Sequence, residues 1–335
     1  MFRTFIVSLA AFGLGGMAMA QSSVTLFGVV DNNIGWGKGS LTSLKRLGTA
    51  GYLGSRIGFR GTEDLGGGLN ALFMLEHGFN SDDATPASPT TFWNRQTYVG
   101  LNGSWGELLL GRQYTPTFLV HATYDAFGPQ GVAAQQVLLG SIEVAQAANI
   151  RANDAVNYRT PATLGGFSLQ AMVTDHTASP GWYRGIRAGY AGGPVSADLA
   201  LGHFNNPAIG DVDSITVGGR YTLGSLKLYA LFDKADSGSG NDSHGMQVSA
   251  AYAFALTDLK VSVAESKQKS AAGADIGITR RYGVGFLHTI SKRTYFYGQY
   301  AKLENSKGAR AVVNGAQTAV NQSAQGFDLG IAHVF

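Results

Sequence analysis

Bulky and small or polar residues alternate with period two through most of this chain. The last ten residues show it most clearly. Phe327, Leu329, Ile331, His333 and Phe335 share one parity, while Gly326, Asp328, Gly330, Ala332 and Val334 share the other. Alternation of this kind puts one set on each face of an extended strand. Near the start, Val24, Leu26, Gly28 and Val30 alternate with Thr25, Phe27, Val29 and Asp31. Ile57, Phe59 and Gly61 then alternate with Arg56, Gly58 and Arg60, and Leu69, Ala71, Phe73 and Leu75 with Asn70, Leu72, Met74 and Glu76. The same rhythm predicts strands over 92–101, 107–114, 153–160, 166–175, 182–190, 195–204, 214–221, 226–234, 245–254, 259–267, 279–288 and 294–303.

Punctuation between the strands is asymmetric. Glycine-rich turns at 63–68, 192–194 and 223–225 alternate with longer polar stretches at 37–51, 80–91, 205–213 and 304–322. Glycine supplies the positive φ that tight turns require. Short turns on one rim and long loops on the other are the plan of a transmembrane antiparallel β-barrel. About sixteen strands of roughly ten residues use about half the chain. Trp36, Trp93, Trp105, Trp182, Tyr295 and Phe335 fall near strand ends, where interfacial aromatics belong. The fold expected is all-β: a barrel of about sixteen strands.

Composition sharpens this. Charged residues make up 14% of the 335 positions, against roughly 25% in soluble domains. A chain that sheds charge without long apolar runs carries its hydrophobicity in alternation. Residues 1–20 stand apart. Arg3, an apolar stretch over 5–16, and Ala18-Met19-Ala20 form the pattern of a cleaved signal peptide, leaving 21–335 as one barrel domain. That apolar stretch is shorter than the ~20 residues of a spanning helix. The expected location is therefore the outer membrane of a Gram-negative cell. Cysteine is absent, so thiolate and disulfide chemistry are excluded. The net charge of +3 does not argue for nucleic acid.

Enzymatic and metal motifs are poor. Gly283-Val284-Gly285 lacks the third glycine of a dinucleotide fingerprint, and Asp211-Val212-Asp213 lacks the rest of an EF-hand. Neither a cofactor nor a metal is expected. An outer-membrane barrel hydrolase is the rival from another class, with His121, His176 and His244 in or near loops beside acids. A structural barrel with an occluded lumen is a third reading.

Several segments resemble the general diffusion porins of Gram-negative bacteria, especially the trimeric β-proteobacterial type. They are Ser22-Ser23-Val24-Thr25-Leu26-Phe27-Gly28-Val29-Val30-Asp31, Ser55-Arg56-Ile57-Gly58-Phe59-Arg60-Gly61-Thr62-Glu63-Asp64-Leu65-Gly66, Asn94-Arg95-Gln96-Thr97-Tyr98-Val99-Gly100-Leu101, Leu110-Gly111-Arg112-Gln113-Tyr114 and His333-Val334-Phe335. The resemblance implies a passive diffusion channel, a homotrimer surrounded by outer-membrane lipid and lipopolysaccharide, and a third loop folded inward to narrow the pore. The long stretch between Tyr114 and Arg151 is the candidate loop. A substrate-specific porin is the alternative within this class.

Parity puts Arg56 and Arg60 on the polar face of their strand. It puts Arg95 with Thr97 opposite an outward Tyr98, and Arg151, Asn153, Asn157 and Arg159 on one face. A lipid-facing charge at mid-depth costs about 2–4 kcal/mol, so these arginines are expected in the lumen. Arg112 shares parity with Leu108 and Leu110 unless Gly111 bulges. The resemblance implies wall arginines facing acids on the third loop. Arg56, Arg95 and Arg151 match the wall positions and Asp125 matches a loop acid, whereas Pro129-Gln130 stands where a second acid is expected. Solvated rim residues or interface ion pairs are the other roles open to these arginines. A lumen so lined gives a modest preference for small anions among the hydrophilic solutes.

Overall fold

The computed structural model describes residues 23–134, 150–175, 181–206 and 210–335; the expected signal peptide and His176 lie outside them. The strands follow the alternation: β1 (Ser23–Lys38), β2 (Ser43–Thr49), β3 (Arg56–Gly66), β4 (Leu69–Gly78), β5 (Gln96–Gly103) and β6 (Gly106–Tyr114). After the helix α1 (Pro116–Thr123) come β7 (Arg151–Arg159), β8 (Phe167–Thr174), β9 (Tyr183–Gly192), β10 (Val195–Asn206), β11 (Gly210–Leu223) and β12 (Leu226–Ser237). β13 (Asp242–Phe254), β14 (Thr257–Lys269), β15 (Asp275–Ser291), β16 (Thr294–Ser306) and β17 (Ala324–Val334) complete the set.

From β3 to β17 each strand pairs antiparallel with the next, and β1 pairs with β17 from Val29↔Val334 to Lys38↔Gln325, closing the barrel. The upper half of β1 pairs with β2 and the lower half with β3. Those two segments therefore share one strand position, and the barrel has sixteen. Residues 37–51, read from sequence as a polar loop, instead extend β1 and form β2. At the seam Gly28 and Phe335 exchange backbone hydrogen bonds of 3.0 Å. A Cβ on Gly28 would lie 2.3 Å from the Phe335 ring, so only glycine fits there.

Outward positions are the apolar ones: Val24, Leu26, Ile34, Val248, Val261, Val263, Val284, Leu329 and Ile331 are all exposed. In lipid this exposure is burial. Inward positions carry Asp31, Asn33, Asn157, Gln170, Thr216, Gln247 and Ser262. Closure satisfies the backbone without leaving an edge, which a bilayer demands. Among the described residues no helix is long and apolar enough to cross a membrane, and the strands do the crossing.

The third loop enters the barrel. Its helix is capped by Thr115, whose side chain accepts from the Phe118 amide at 3.2 Å, with Pro116 opening the first turn. Val120, His121, Tyr124 and Phe127 are buried against the inner wall. Polar pins fix this packing. Thr117 meets the Tyr183 hydroxyl at 3.2 Å, His121 Nε2 meets Asp233 Oδ2 at 3.0 Å, and the Ala126 amide donates to Ser249 Oγ at 3.1 Å. Tyr124 donates to Asp198 Oδ2 at 2.6 Å, and Arg187 grips the same carboxylate through Nε and Nη2. Burial, then Asp198, pushes the Tyr124 hydroxyl up to about 12, keeping it a donor at neutral pH. Gly218 leaves room for the Tyr124 ring, which a Cβ would approach to 2.2 Å.

Candidate pore constriction

Arg56 opens β3 on the inward face, because its partner in β1 is Val29, which shares parity with the inward Asp31. Gly58 pairs with Glu76, so Glu76 of β4 also points inward. Arg56 Nε lies 3.0 Å from Glu76 Oε1, and Arg95 Nε lies 3.2 Å from the same oxygen. Arg95 Nη2 then donates to the Tyr114 hydroxyl at 2.6 Å, and Arg151 Nη2 donates to it at 3.0 Å. The Arg151 guanidinium also lies over the Tyr114 ring, 4.6 Å from its centroid. One carboxylate and one phenol thus hold Arg56, Arg95 and Arg151 together, and Tyr114 stacks on Phe118 of α1 at 5.1 Å. All sit at the strand ends from which the third loop departs.

Arg60 and Arg159 occupy a second level, nearer the short turns. Arg159 Nη1 is 3.7 Å from Glu107 Oε2, and Arg60 lies 5.4 Å from the Phe27 ring centroid. Both line a cavity of about 240 Å³ with Tyr98 and Glu107. Asp125 is elsewhere. It is 6% exposed, its Oδ1 accepts from the Phe127 amide at 2.9 Å, and its charge acts on Lys260 and Arg281 of the β14–β15 wall. The arginines nearest the third loop are thus balanced by the wall acid Glu76, not by Asp125.

Two face assignments change. Tyr98 points into the lumen, since it pairs with the inward Met74 and Gly111, while Val99 and Leu101 are the exposed outer residues. Arg95 nonetheless reaches the lumen because β5 starts only at Gln96, and the chain bends before it. In β7 the alternation breaks at Asp154, with φ +51°, beside the register shift between Gly111 and Gln113. Ala152 and Ala155 consequently join one buried cluster, so Arg151 and Arg159 do not share a continuous face. Arg112 joins neither level; its guanidinium bonds the Asn94 carbonyl at 3.0 Å and the Asn153 side chain.

Glu76 and Tyr114 are the residues that sequence reasoning did not single out. Glu76 had a signal: it is an acid on the inward parity of a strand beside the arginine-bearing one. His121, a candidate base for the hydrolase reading, is fully buried on Asp233, and the Thr216 hydroxyl donates to that carboxylate at 2.8 Å rather than to the imidazole. That arrangement pins the loop and presents no nucleophile to the base. Among the described residues no group of three metal-ligating side chains converges.

The comparisons agree with this architecture. A family model described as Gram-negative porin matches residues 6–308. The chain is similar to outer membrane porin protein 32 of Delftia acidovorans, 36% identical over 98% of this chain and 99% of that one. It is also similar to an outer membrane porin of Bordetella pertussis, 29% identical over 91% and 96% of the two chains. Among solved structures, the anion-selective porin from Comamonas acidovorans superposes with a TM-score of 0.83 and 31% identity, covering 94% of this chain and all of that one. OmpT of Vibrio cholerae in its trimer form matches with a TM-score of 0.72 at 16% identity, covering 94% and 99% of the two chains. The chain belongs to the Gram-negative porin family and is an outer-membrane channel protein.

Proposed function

We propose that the channel prefers small anions among the hydrophilic solutes that diffuse through it, and that Arg56, Arg95 and Arg151 set this preference. The observation that carries the reading is the gathering of these arginines around a single carboxylate, Glu76, which leaves the level net positive. Fixed lumen charge of one sign raises the local concentration of the opposite ion. Arg60 and Arg159 form a second, more neutralised level, since Glu107 pairs with Arg159. Asp125 contributes to the far wall. The solved anion-selective relative at 31% identity supports the same sign.

The working unit in this reading is a homotrimer set in lipid and lipopolysaccharide, with residues 1–20 removed on export. Support comes from the outer face of β4, where His77 stacks on Phe92 at 4.4 Å and Trp93 stands edge-on to Phe92 at 5.0 Å. A histidine–aromatic patch of this kind suits contact with another subunit better than acyl chains. The test is single-channel recording in planar bilayers under a salt gradient. Conductance arriving in triplets, with a reversal potential of anionic sign that shrinks in Arg56→Ala and Arg95→Ala, is expected. Cation preference at low salt would refute the reading.

A further inference from the structure

The β15 wall carries a buried guanidinium whose donors are not all used. Arg281 of β15 pairs with Ala264 and Leu303, and its side chain is 1% exposed. Its Nη2 donates to Gln247 Oε1 at 2.5 Å, while its Nε and Nη1 have no partner, nor does Gln247 Nε2. A guanidinium stays protonated at any physiological pH. The acid whose charge reaches it, Asp125, is shared with Lys260, and two buried donors without a partner call for an occupant.

Arg281 forms one wall of a cavity of about 390 Å³ between the tip of the third loop, β2 and the loop joining β16 to β17. Val132 and Ala134 line it from the third loop, and Arg46 from β2. The one acid there, Asp328, is already engaged: Oδ2 accepts from the Val132 amide at 3.2 Å and Oδ1 from Asn314 Nδ2 at 2.8 Å. Arg46 Nη2 donates to Asn314 Oδ1 at 3.0 Å, which holds a second guanidinium at the cavity's edge. The cavity thus contains two guanidinium groups against one carboxylate, and its most buried cation has donors to spare.

We propose that this cavity is a second anion-binding station, in which a small monovalent anion lies against Nε and Nη1 of Arg281 with Arg46 at the entrance. A water molecule accepts such hydrogen bonds but leaves Lys260, Arg281 and Arg46 facing only Asp125 and Asp328, so the anion is the better occupant. The station shares no residue with the Arg56–Arg95–Arg151 group and goes beyond the selectivity reading without depending on it.

Crystals of the full protein soaked in sodium bromide test this directly. An anomalous peak is expected beside Arg281, and it should be lost in Arg281→Gln. In bilayers, conductance should saturate with chloride concentration, and the half-saturating concentration should rise roughly fivefold in Arg281→Gln, the factor expected for losing one charge at ~4 Å in water-like surroundings. Should Arg281→Gln not fold, Arg46→Gln, at the edge of the cavity, is read the same way alongside the wild-type bromide map. Bromide confined to Arg56, Arg95 and Arg151, or water alone beside Arg281, overturns the station while leaving the anion preference standing. Loss of anion preference with bromide still beside Arg281 would have the reverse meaning.

Discussion

Replacing Glu76 by glutamine isolates the electrostatics of the constriction. The carboxylate receives Arg56 Nε at 3.0 Å and Arg95 Nε at 3.2 Å, and Gln96 Nε2 lies 3.3 Å away. The substitution keeps the shape and raises the net charge of the group by one. A permeating ion at ~7 Å feels about 0.6 kcal/mol from one charge in water-like surroundings. At ~0.1 M salt the Debye length of ~10 Å reduces this to roughly half. Anion attraction and cation repulsion change together, so the anion-to-cation ratio should rise roughly threefold. At ~1 M salt, with a Debye length of ~3 Å, almost nothing should remain. Reversal potentials under a fixed salt gradient, measured at both ionic strengths, read this directly. The arginines keep pore water as a partner, with side chains 23% and 16% exposed, so the barrel should still fold. A folded Glu76→Gln channel with unchanged or lower anion preference at low salt would sink the argument, because the wall acid would then not be the counter-charge.

Other perturbations reach different parts of the molecule. Tyr114→Phe removes the shared acceptor of Arg95 and Arg151; selectivity should keep its sign, and open-channel current noise should grow as the two guanidinium groups lose their fixed spacing. Tyr124→Phe breaks the bond to Asp198, a charged acceptor, and should lower stability by about 1.5–3 kcal/mol in denaturant titrations. Val263→Arg places a charge on the lipid face and should cost up to about 2–4 kcal/mol in lipid-based unfolding, whereas Ser262→Arg, on the lumen side, should spare the lipid term and narrow conductance instead. Gly28→Val drives a side chain into the Phe335 ring at the seam, so the yield of heat-resistant barrel on refolding should fall sharply.

The barrel was legible because lipid outside and water inside impose alternation on every regular strand. Arg56 was placed correctly for that reason: Ile57 and Phe59 flank it on the outer face, and β3 is regular there. The residues that complete the pore level were less legible because they stand where regularity ends. Arg95 precedes its strand, so counting parity from Thr97 gave the right lumen for the wrong reason and sent Tyr98 to the outside. Arg151 lies before the break at Asp154, and alternation cannot be carried across a residue with φ +51°. Asp125 lies in a loop, where sequence spacing says nothing about which wall is met, and it faces Lys260 and Arg281 instead of the arginines it was matched against. These failures share a cause. A chain that leaves the wall to narrow the pore must bulge or bend at the strand ends, and those ends are where the pore charges are held. The alternation that reveals the barrel therefore falls silent at the constriction, and only the hydrogen-bonded partners, Glu76 and Tyr114, identify the charges that act together.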